Sequence, residues 1–276
     1  MTQIGFLGTL GLRFLYWRLP VWVEKMPYVP ALNYGYMGSN GSFFAETENG
    51  AQLRLYHRVA GSFLLGHSQH PLEVVEVGSG LGVGALWLSS FLKDGLRSFQ
   101  GIDKSRAAVK FCERRYAGNA KLQFQQGDAM SLPLEDESVD ALINVESSHM
   151  YPDMEGFLAE SFRVIKPGGY FLWADFRRAD EQGKTLRAIA ENYAILEQED
   201  ITAGVLGSLE SEEEERRKGE YLTRLLRSLS LPERAAMRLS LKYVRNFMGM
   251  KGSGIAHGFQ TRNLVYLRVV AQKASS

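Results

Sequence analysis

The sequence has one cysteine, no excess of charge of either sign, and no repeat, low-complexity tract or cluster of metal-ligating residues. Cys112 alone cannot form an internal disulfide, which fits a reducing, cytoplasmic compartment. Lysine and arginine number 32 against 31 aspartate and glutamate, so no overall field indicates a nucleic-acid partner. The 276 residues, 45% of them hydrophobic, suit one large domain or a domain with an insertion.

The N-terminal segment is strongly apolar, but it resembles neither a membrane-spanning helix nor a secretory signal. Residues 4–23 read IGFLGTLGLRFLYWRLPVWV, and Arg13, Arg18 and Pro20 interrupt the run. No small-residue cleavage site follows it. Three interpretations stay open: a helix packed on the domain or over its active site, a helix at a membrane interface, and a contact between copies of the chain. The second would make the protein membrane-associated, and the third a homo-oligomer.

From Pro71 onward, short apolar runs alternate with helical patterns. LEVVEVG, SFQGID, LQFQQGD, DALINVE and YFLWADF have the length and composition of buried strands, and stretches such as ALWLSSFL have helical spacing. This alternation predicts a mostly parallel sheet with helices on both faces. In such sheets the ligand lies outside the carboxyl ends of the strands. Residues that directly follow a strand are therefore candidate site residues.

The first turn from strand to helix is rich in glycine and directly follows an acid. EVGSGLGVG places Gly78, Gly80 and Gly82 where absent side chains allow a sharp turn and a close approach to a ligand. Read from Gly80 the turn satisfies the dinucleotide fingerprint, but read from Gly78 it does not, because Val83 occupies the third glycine position. Glu76 would repel a pyrophosphate and favour a ligand that bears an ammonium group.

Two further acids end the next two strands. Asp103 closes the second strand, where a carboxylate can accept hydrogen bonds from both hydroxyls of a ribose. Asp128 closes the third, where it can accept a hydrogen bond from an adenine amino group, with Ala129 and Met130 on the ring. Three acids at successive strand ends, in register with one glycine turn, are difficult to attribute to chance.

These motifs resemble those of the class I S-adenosylmethionine-dependent methyltransferases. EVGSGLGVG, GIDKS, GDAMSLPLEDESVDALINVES and RVIKPGGYFLWADF carry the resemblance. It implies S-adenosyl-L-methionine as cofactor, with the glycine turn around its methionine part, Asp103 on the ribose, Asp128 on the adenine and Asn144 beside it. Lys104, in GIDKS, joins the same candidate set. The resemblance also implies a seventh, antiparallel strand, for which residues 263–273 are the candidate.

A closer resemblance is to the phthiotriol and phenolphthiotriol dimycocerosate methyltransferases, with sterol and tocopherol methyltransferases further away. LYHRVA, NVESSHMYPDMEGFLAESFRVIKPGGY and an aromatic segment leading to LNYGY carry it. It implies a large apolar small molecule as the methyl acceptor: a lipid, a polyketide or a terpenoid. The sequence departs from these families mainly in its N-terminal and C-terminal thirds, where substrate would be contacted.

The stretch ESSHMY follows the fourth strand and is the candidate catalytic segment. His149 is the candidate general base, since imidazole is largely neutral near pH 7, and we expect Glu146 to orient it or to bind the acceptor hydroxyl. Methylation of oxygen is the leading prediction. Its rival is methylation of an alkene carbon through a carbocation, which aromatic faces would stabilise. The aromatic candidates for substrate contact are Tyr34, Tyr36, Tyr151 and Phe176.

The predicted fold class is therefore α/β: a Rossmann-like, seven-stranded, mostly parallel sheet with an N-terminal apolar helical segment and a helical cap before the last strand. The predicted regions are residues 1–50 (lid or interface segment), 51–182 (S-adenosylmethionine-binding core), 183–262 (helical substrate cap) and 263–276 (last strand and tail). In the third region, ESEEEERRKGE sets opposite charges at i, i+4, which predicts a solvated helix. A cofactor-binding module without catalysis and a dinucleotide-dependent oxidoreductase are the other function classes.

Overall fold

The computed structural model describes residues 19–24, 29–38, 47, 49–67 and 70–275, and a seven-stranded sheet forms its centre. The strand order is β3-β2-β1-β4-β5-β7-β6. The strands are β1 (Leu72–Val77), β2 (Leu96–Asp103), β3 (Leu122–Gln126), β4 (Val139–Val145), β5 (Ile165–Arg178), β6 (Ala194–Asp200) and β7 (Leu264–Gln272). Neighbours are parallel except where β7 pairs antiparallel with β5 and β6. The predicted mostly parallel sheet and the antiparallel last strand are confirmed.

Helices cover both faces of this sheet, as the alternating pattern predicts. They are α1 (Gly50–Tyr56), α2 (Ser62–His67), α3 (Val83–Leu92), α4 (Arg106–Arg115), α5 (Met154–Val164), α6 (Gln182–Asn192), α7 (Thr202–Glu210), α8 (Glu212–Ser228), α9 (Leu231–Phe247) and α10 (Gly254–Gln260). They bury two apolar clusters, one containing Phe99 and Tyr266 and the other Phe157 and Trp173. These clusters hold the strand ends in fixed positions.

The strand order reverses between β1 and β4, and this reversal positions the candidate site. From β1 the chain adds β2 and β3 on one side, whereas β4 pairs with the other side of β1. Parallel pairing of Glu76 with Ile143 brings the end of β1 beside the end of β4. The glycine turn after β1 and ESSHMY after β4 are therefore neighbours at the switch point, where ligands bind in open sheets of this kind.

The region from residue 183 to 262 is not entirely a helical cap, because it contains the edge strand β6. Along AILEQED, half-buried residues alternate with exposed ones. The half-buried acids Glu197 and Glu199 face Arg268 of β7, which is almost fully buried and pairs with Glu197 at 2.7 Å. Because that partner comes from distant sequence, a polar strand of this kind gives little local signal. The helical cap consists of α7 to α10.

Helix α8 is not a purely solvated helix, which corrects the interpretation of its charge run. Glu214 is only 5% exposed and accepts a hydrogen bond from Gln52. Its ion-pair partner is Arg217, three residues on, at 3.2 Å, and not Lys218. Tyr221, on the same helix, is also buried. One face of α8 therefore packs against the rest of the protein, and the buried carboxylate of Glu214 lies on that face.

Part of the N-terminal segment packs on the cap. Residues 19–23 are helical, with Leu19, Trp22 and Val23 buried, and Trp22 Nε1 donates to Glu233 Oε1 of α9 at 3.3 Å. The lid, membrane and oligomer interpretations concern mainly residues 1–18 and 25–28, which lie outside the described residues. Within the described ranges, no helix has the length and hydropathy needed to cross a bilayer.

Candidate active site

The glycine turn after β1 adopts a backbone that requires glycine. Gly78, Gly80 and Gly82 have φ values of +79°, +53° and +72°, which L side chains rarely adopt. A Cβ at Gly78 would lie 2.4 Å from Ser147 Oγ, and one at Gly82 would lie 2.7 Å from the Phe124 ring. Gly78 therefore allows the turn to approach ESSHMY, and Gly82 allows it to pack on β3.

The acids at the ends of β2 and β3 have different surroundings. Asp103 accepts hydrogen bonds from the backbone N–H groups of Gly80 and Ser105, each at 2.8 Å, and burial raises its pKa. It therefore holds the glycine turn and retains further lone pairs for a ribose. Asp128 is largely exposed, and its hydrogen bond from Lys104 at 2.7 Å lowers its pKa. A ligand amino group would share Asp128 with Lys104.

Three buried polar atoms beneath the glycine turn have no hydrogen-bond partner among the described residues: Glu76 Oε2, Ser79 Oγ and Asn144 Oδ1. Glu76 is fully buried, its other oxygen accepts from Tyr56 Oη at 2.6 Å, and burial raises its pKa to about 8. Unmet buried acceptors are costly, so they favour a ligand that donates to them. These atoms fit the ammonium-bearing methionine part of the implied cofactor.

His149 is held by Asp175, a residue of β5. His149 Nδ1 lies 2.9 Å from Asp175 Oδ1, and the His149 backbone N–H donates to Asp175 Oδ2 at 2.8 Å. Ser148 and Phe176 also donate to this carboxylate. Burial by itself would raise the pKa of Asp175, but the imidazole of His149, the Arg177 guanidinium and the Ser148 hydroxyl together lower it well below its usual range. Asp175 is therefore an ionised acceptor that fixes the position of the imidazole.

Glu146 does not orient His149, which corrects the expectation drawn from their closeness in sequence. Its Oε2 accepts from the backbone N–H of Tyr34 and from Tyr266 Oη, each at 2.9 Å. Burial raises the pKa of Glu146. Its contacts tie the segment of residues 29–38 to the ends of the strands. A role in binding the acceptor hydroxyl stays a prediction.

An aromatic ring, that of Phe176, packs against the imidazole, and two further rings pack against Phe176. The Phe176 ring centroid lies 4.3 Å from that of His149 and 5.8 Å from that of Tyr34, and Phe259 of the cap lies 6.0 Å from Phe176. Tyr34 and Phe259 are buried. One face of the imidazole therefore has an apolar neighbour, which suits an apolar acceptor, while the His149 side chain stays 23% exposed to the cleft.

One open cleft of about 3080 Å³ brings most of the candidate residues together. Those that line it are Tyr34, Gly78, Gly80, Asp103, Lys104, Asp128, Ala129, Glu146, His149, Tyr151 and Phe176. Glu76, Gly82 and Asn144 are not among the residues that line the cleft. Met130 does not line it either, but its backbone N–H donates to Asp128, which does. Asn144 Nδ2 donates to Tyr151 Oη, so Tyr151 belongs to the cofactor side. Tyr36 instead packs against Gly204 and does not line the cleft, which corrects its prediction as a substrate contact.

Sequence reasoning missed the groups that hold the candidate residues in place: Tyr56 on Glu76, Asp175 on His149, and Tyr266 on Glu146. Asp175 could have been predicted from the sequence, because it is an acid near the carboxyl end of the predicted strand YFLWADF. The rule that selected Asp103 and Asp128 would have selected it as well. Tyr56 and Tyr266 have no such signal in their own segments.

Comparisons with known proteins show similarity to methyltransferases. A family model described as a methyltransferase domain matches residues 75–173. The phthiotriol/phenolphthiotriol dimycocerosates methyltransferase of Mycobacterium tuberculosis is 43% identical over 137 residues, or 50% of this chain and 48% of that protein. The chain thus spans about half the length of this relative. The fatty-acid O-methyltransferase of Mycolicibacterium smegmatis is 39% identical over 167 residues, 58% of this chain and 57% of that protein.

One relative aligns over most of both chains. The phthiotriol/phenolphthiotriol dimycocerosates methyltransferase of Mycobacterium leprae is 33% identical over 223 residues, which are 80% of this chain and 76% of that protein. Among solved structures, the [4+2]-cyclase SpnF covers 98% of this chain and 96% of its own, with a TM-score of 0.66 and 18% identity, a likeness of fold alone. By sequence and by fold, the chain belongs to the class I S-adenosylmethionine-dependent methyltransferases.

Proposed function

We propose that the protein is an enzyme that transfers a methyl group from S-adenosylmethionine to an oxygen atom of a large apolar small molecule. The observation that carries this proposal is the pairing of His149 with ionised Asp175 in the wall of the cleft. Two relatives, a phthiotriol/phenolphthiotriol dimycocerosates methyltransferase and a fatty-acid O-methyltransferase, support a lipid-type acceptor.

The ionised state of Asp175 decides which imidazole nitrogen takes the proton. A carboxylate only accepts hydrogen bonds, so His149 Nδ1 must carry a hydrogen directed at Asp175. His149 Nε2 is then an acceptor that can take the proton of an acceptor hydroxyl. The bound cofactor supplies an already activated methyl group. In the transfer, the methyl carbon would leave the sulfonium sulfur, which becomes a neutral thioether, and would bond to the hydroxyl oxygen. His149 Nε2 would take the hydroxyl proton, and Asp175 would stabilise the resulting imidazolium.

The walls of the cleft support an apolar acceptor. Phe176 and Tyr34 stand beside the imidazole, and the cap contributes Tyr243, Phe247 and Ile255 to the same cleft. Apolar walls with a few polar groups at one end bind and orient long apolar molecules. The same rings support methylation of carbon as the second candidate, because the faces of Tyr34 and Phe176 would stabilise a carbocation.

The function can be tested by incubating the protein with methyl-labelled S-adenosylmethionine and candidate fatty acids, long-chain alcohols and prenyl compounds. We expect label in an organic-soluble product, in an O-methyl group that NMR and mass spectrometry identify as a methyl ether or a methyl ester. Label on a carbon of a prenyl chain would favour the second candidate. Label in protein or nucleic acid, or no transfer to any acceptor despite cofactor binding, would contradict the proposal.

A further inference from the structure

A second cavity lies between the cap helices α8 and α9 and the segment of residues 30–34, which also borders the active-site cleft. Its volume is about 100 Å³, several times the space that one water molecule needs. Leu225, Val244 and Phe247 give it an apolar wall. Its described lining residues include neither His149 nor Asp175, so the cavity is separate from the candidate base.

Two buried nitrogen donors of this cavity have no hydrogen-bond partner among the described residues: Lys218 Nζ and Asn33 Nδ2. The orientation of the Asn33 amide is fixed, because its Oδ1 accepts the backbone N–H of Gly35 at 2.9 Å. The NH₂ group is thereby left for another acceptor. A buried donor without a partner is destabilising, and a buried ammonium more so. Both donors therefore favour a ligand that brings acceptor oxygens.

Acidic residues lie near Lys218, but none of those that the structure describes accepts a hydrogen bond from its ammonium group. Glu214, the nearest acid on its helix face, already pairs with Arg217 at 3.2 Å and accepts from Gln52 at 3.2 Å. Burial lowers the pKa of Lys218, and the charges of Glu214, Glu215 and Glu146 only partly oppose this. An added negative charge in the cavity would stabilise the ammonium form.

We propose that this cavity binds the carboxylate of an apolar monocarboxylate, with Lys218 and Asn33 donating to its oxygens. One ammonium group matches one negative charge, and two donor groups match two carboxylate oxygens. The apolar wall suits the hydrocarbon next to the carboxylate. The site is distinct from the candidate base and the cofactor turn, and it shares only lining residues, such as Tyr34 and Phe247, with the active-site cleft.

The test is calorimetric titration of the protein, without S-adenosylmethionine, with octanoate and with 1-octanol, which has the same chain and no charge. We expect the wild type to bind octanoate, and Lys218→Met to weaken this affinity about tenfold or more with little effect on octanol. The matched control is Arg224→Met, which removes an exposed cation from the same helix and should leave octanoate affinity unchanged.

Two further variants test whether octanoate binds in this cavity or at the active site. Asn33→Asp retains the acceptor for the Gly35 N–H but places a carboxylate beside Lys218, so it should also abolish octanoate binding. His149→Gln should leave octanoate affinity unchanged. Loss of affinity in His149→Gln with full affinity in Lys218→Met would mean that the carboxylate binds at the active site. That result, or no octanoate binding by the wild type, would overturn the proposal.

Discussion

His149→Ala should slow methyl transfer by about 10² to 10⁴-fold while leaving the affinity for S-adenosylmethionine unchanged, because it removes the base and no group of the cofactor turn. The imidazole lies against Phe176 and Asp175, away from Glu76 and Asp103. The measurements are the turnover rate with the true acceptor and the cofactor dissociation constant by calorimetry. His70→Ala, which removes an exposed histidine outside the cleft, is the matched control.

The product of the His149→Ala enzyme distinguishes oxygen from carbon as the methyl acceptor. If the reaction proceeds through a carbocation, methyl transfer precedes proton loss. The variant would then still methylate, but its products would shift toward other double-bond positions or cyclised forms. A near-normal rate with an unchanged product would instead show that His149 is not the base.

Glu76→Gln should weaken S-adenosylmethionine binding about tenfold or more, because a neutral amide replaces the buried acceptor for the ligand ammonium group. The pKa of Glu76 is raised to about 8 in the free protein, so the carboxyl is largely protonated at neutral pH. Pairing with an ammonium group requires the ionised form. Binding near pH 7 should therefore release a proton, and affinity should rise with pH toward 8.

Proton release can be measured by calorimetry in two buffers that differ in ionisation enthalpy. The wild type should release up to one proton per cofactor bound near pH 7, and Glu76→Gln should release none. Glu73→Gln is the control, since Glu73 lies on the same strand and pairs with Lys166 outside the cleft. Equal proton release by the wild type and by Glu76→Gln would remove Glu76 from the ammonium site.

The parts of the site that the sequence predicts well are those that lie at a fixed offset from the end of a strand. A glycine turn after a buried strand specifies its own backbone, and the positive φ values of Gly78 and Gly82 agree with that prediction. Asp103 likewise needs only the end of β2 to be placed correctly. Such features depend on local sequence and on the general order of a parallel sheet.

The partner of His149 could not be inferred from closeness along the chain. Glu146 is three residues away, but its φ of +51° turns the chain, and its carboxylate contacts Tyr34 and Tyr266. Asp175 reaches the imidazole because β4 and β5 pair with Val145 opposite Ala174. Register between strands is a tertiary property, so a sequence pattern gives the strands but not this contact.

A double-mutant cycle of His149→Ala and Asp175→Asn tests most directly whether the two residues act as one base. If Asp175 works only through the imidazole, the double variant should be no slower than His149→Ala alone, because groups that act as a unit are strongly non-additive. Unchanged S-adenosylmethionine affinity in all three variants would show that the fold is retained. Rate losses that multiply in the double variant would contradict the account.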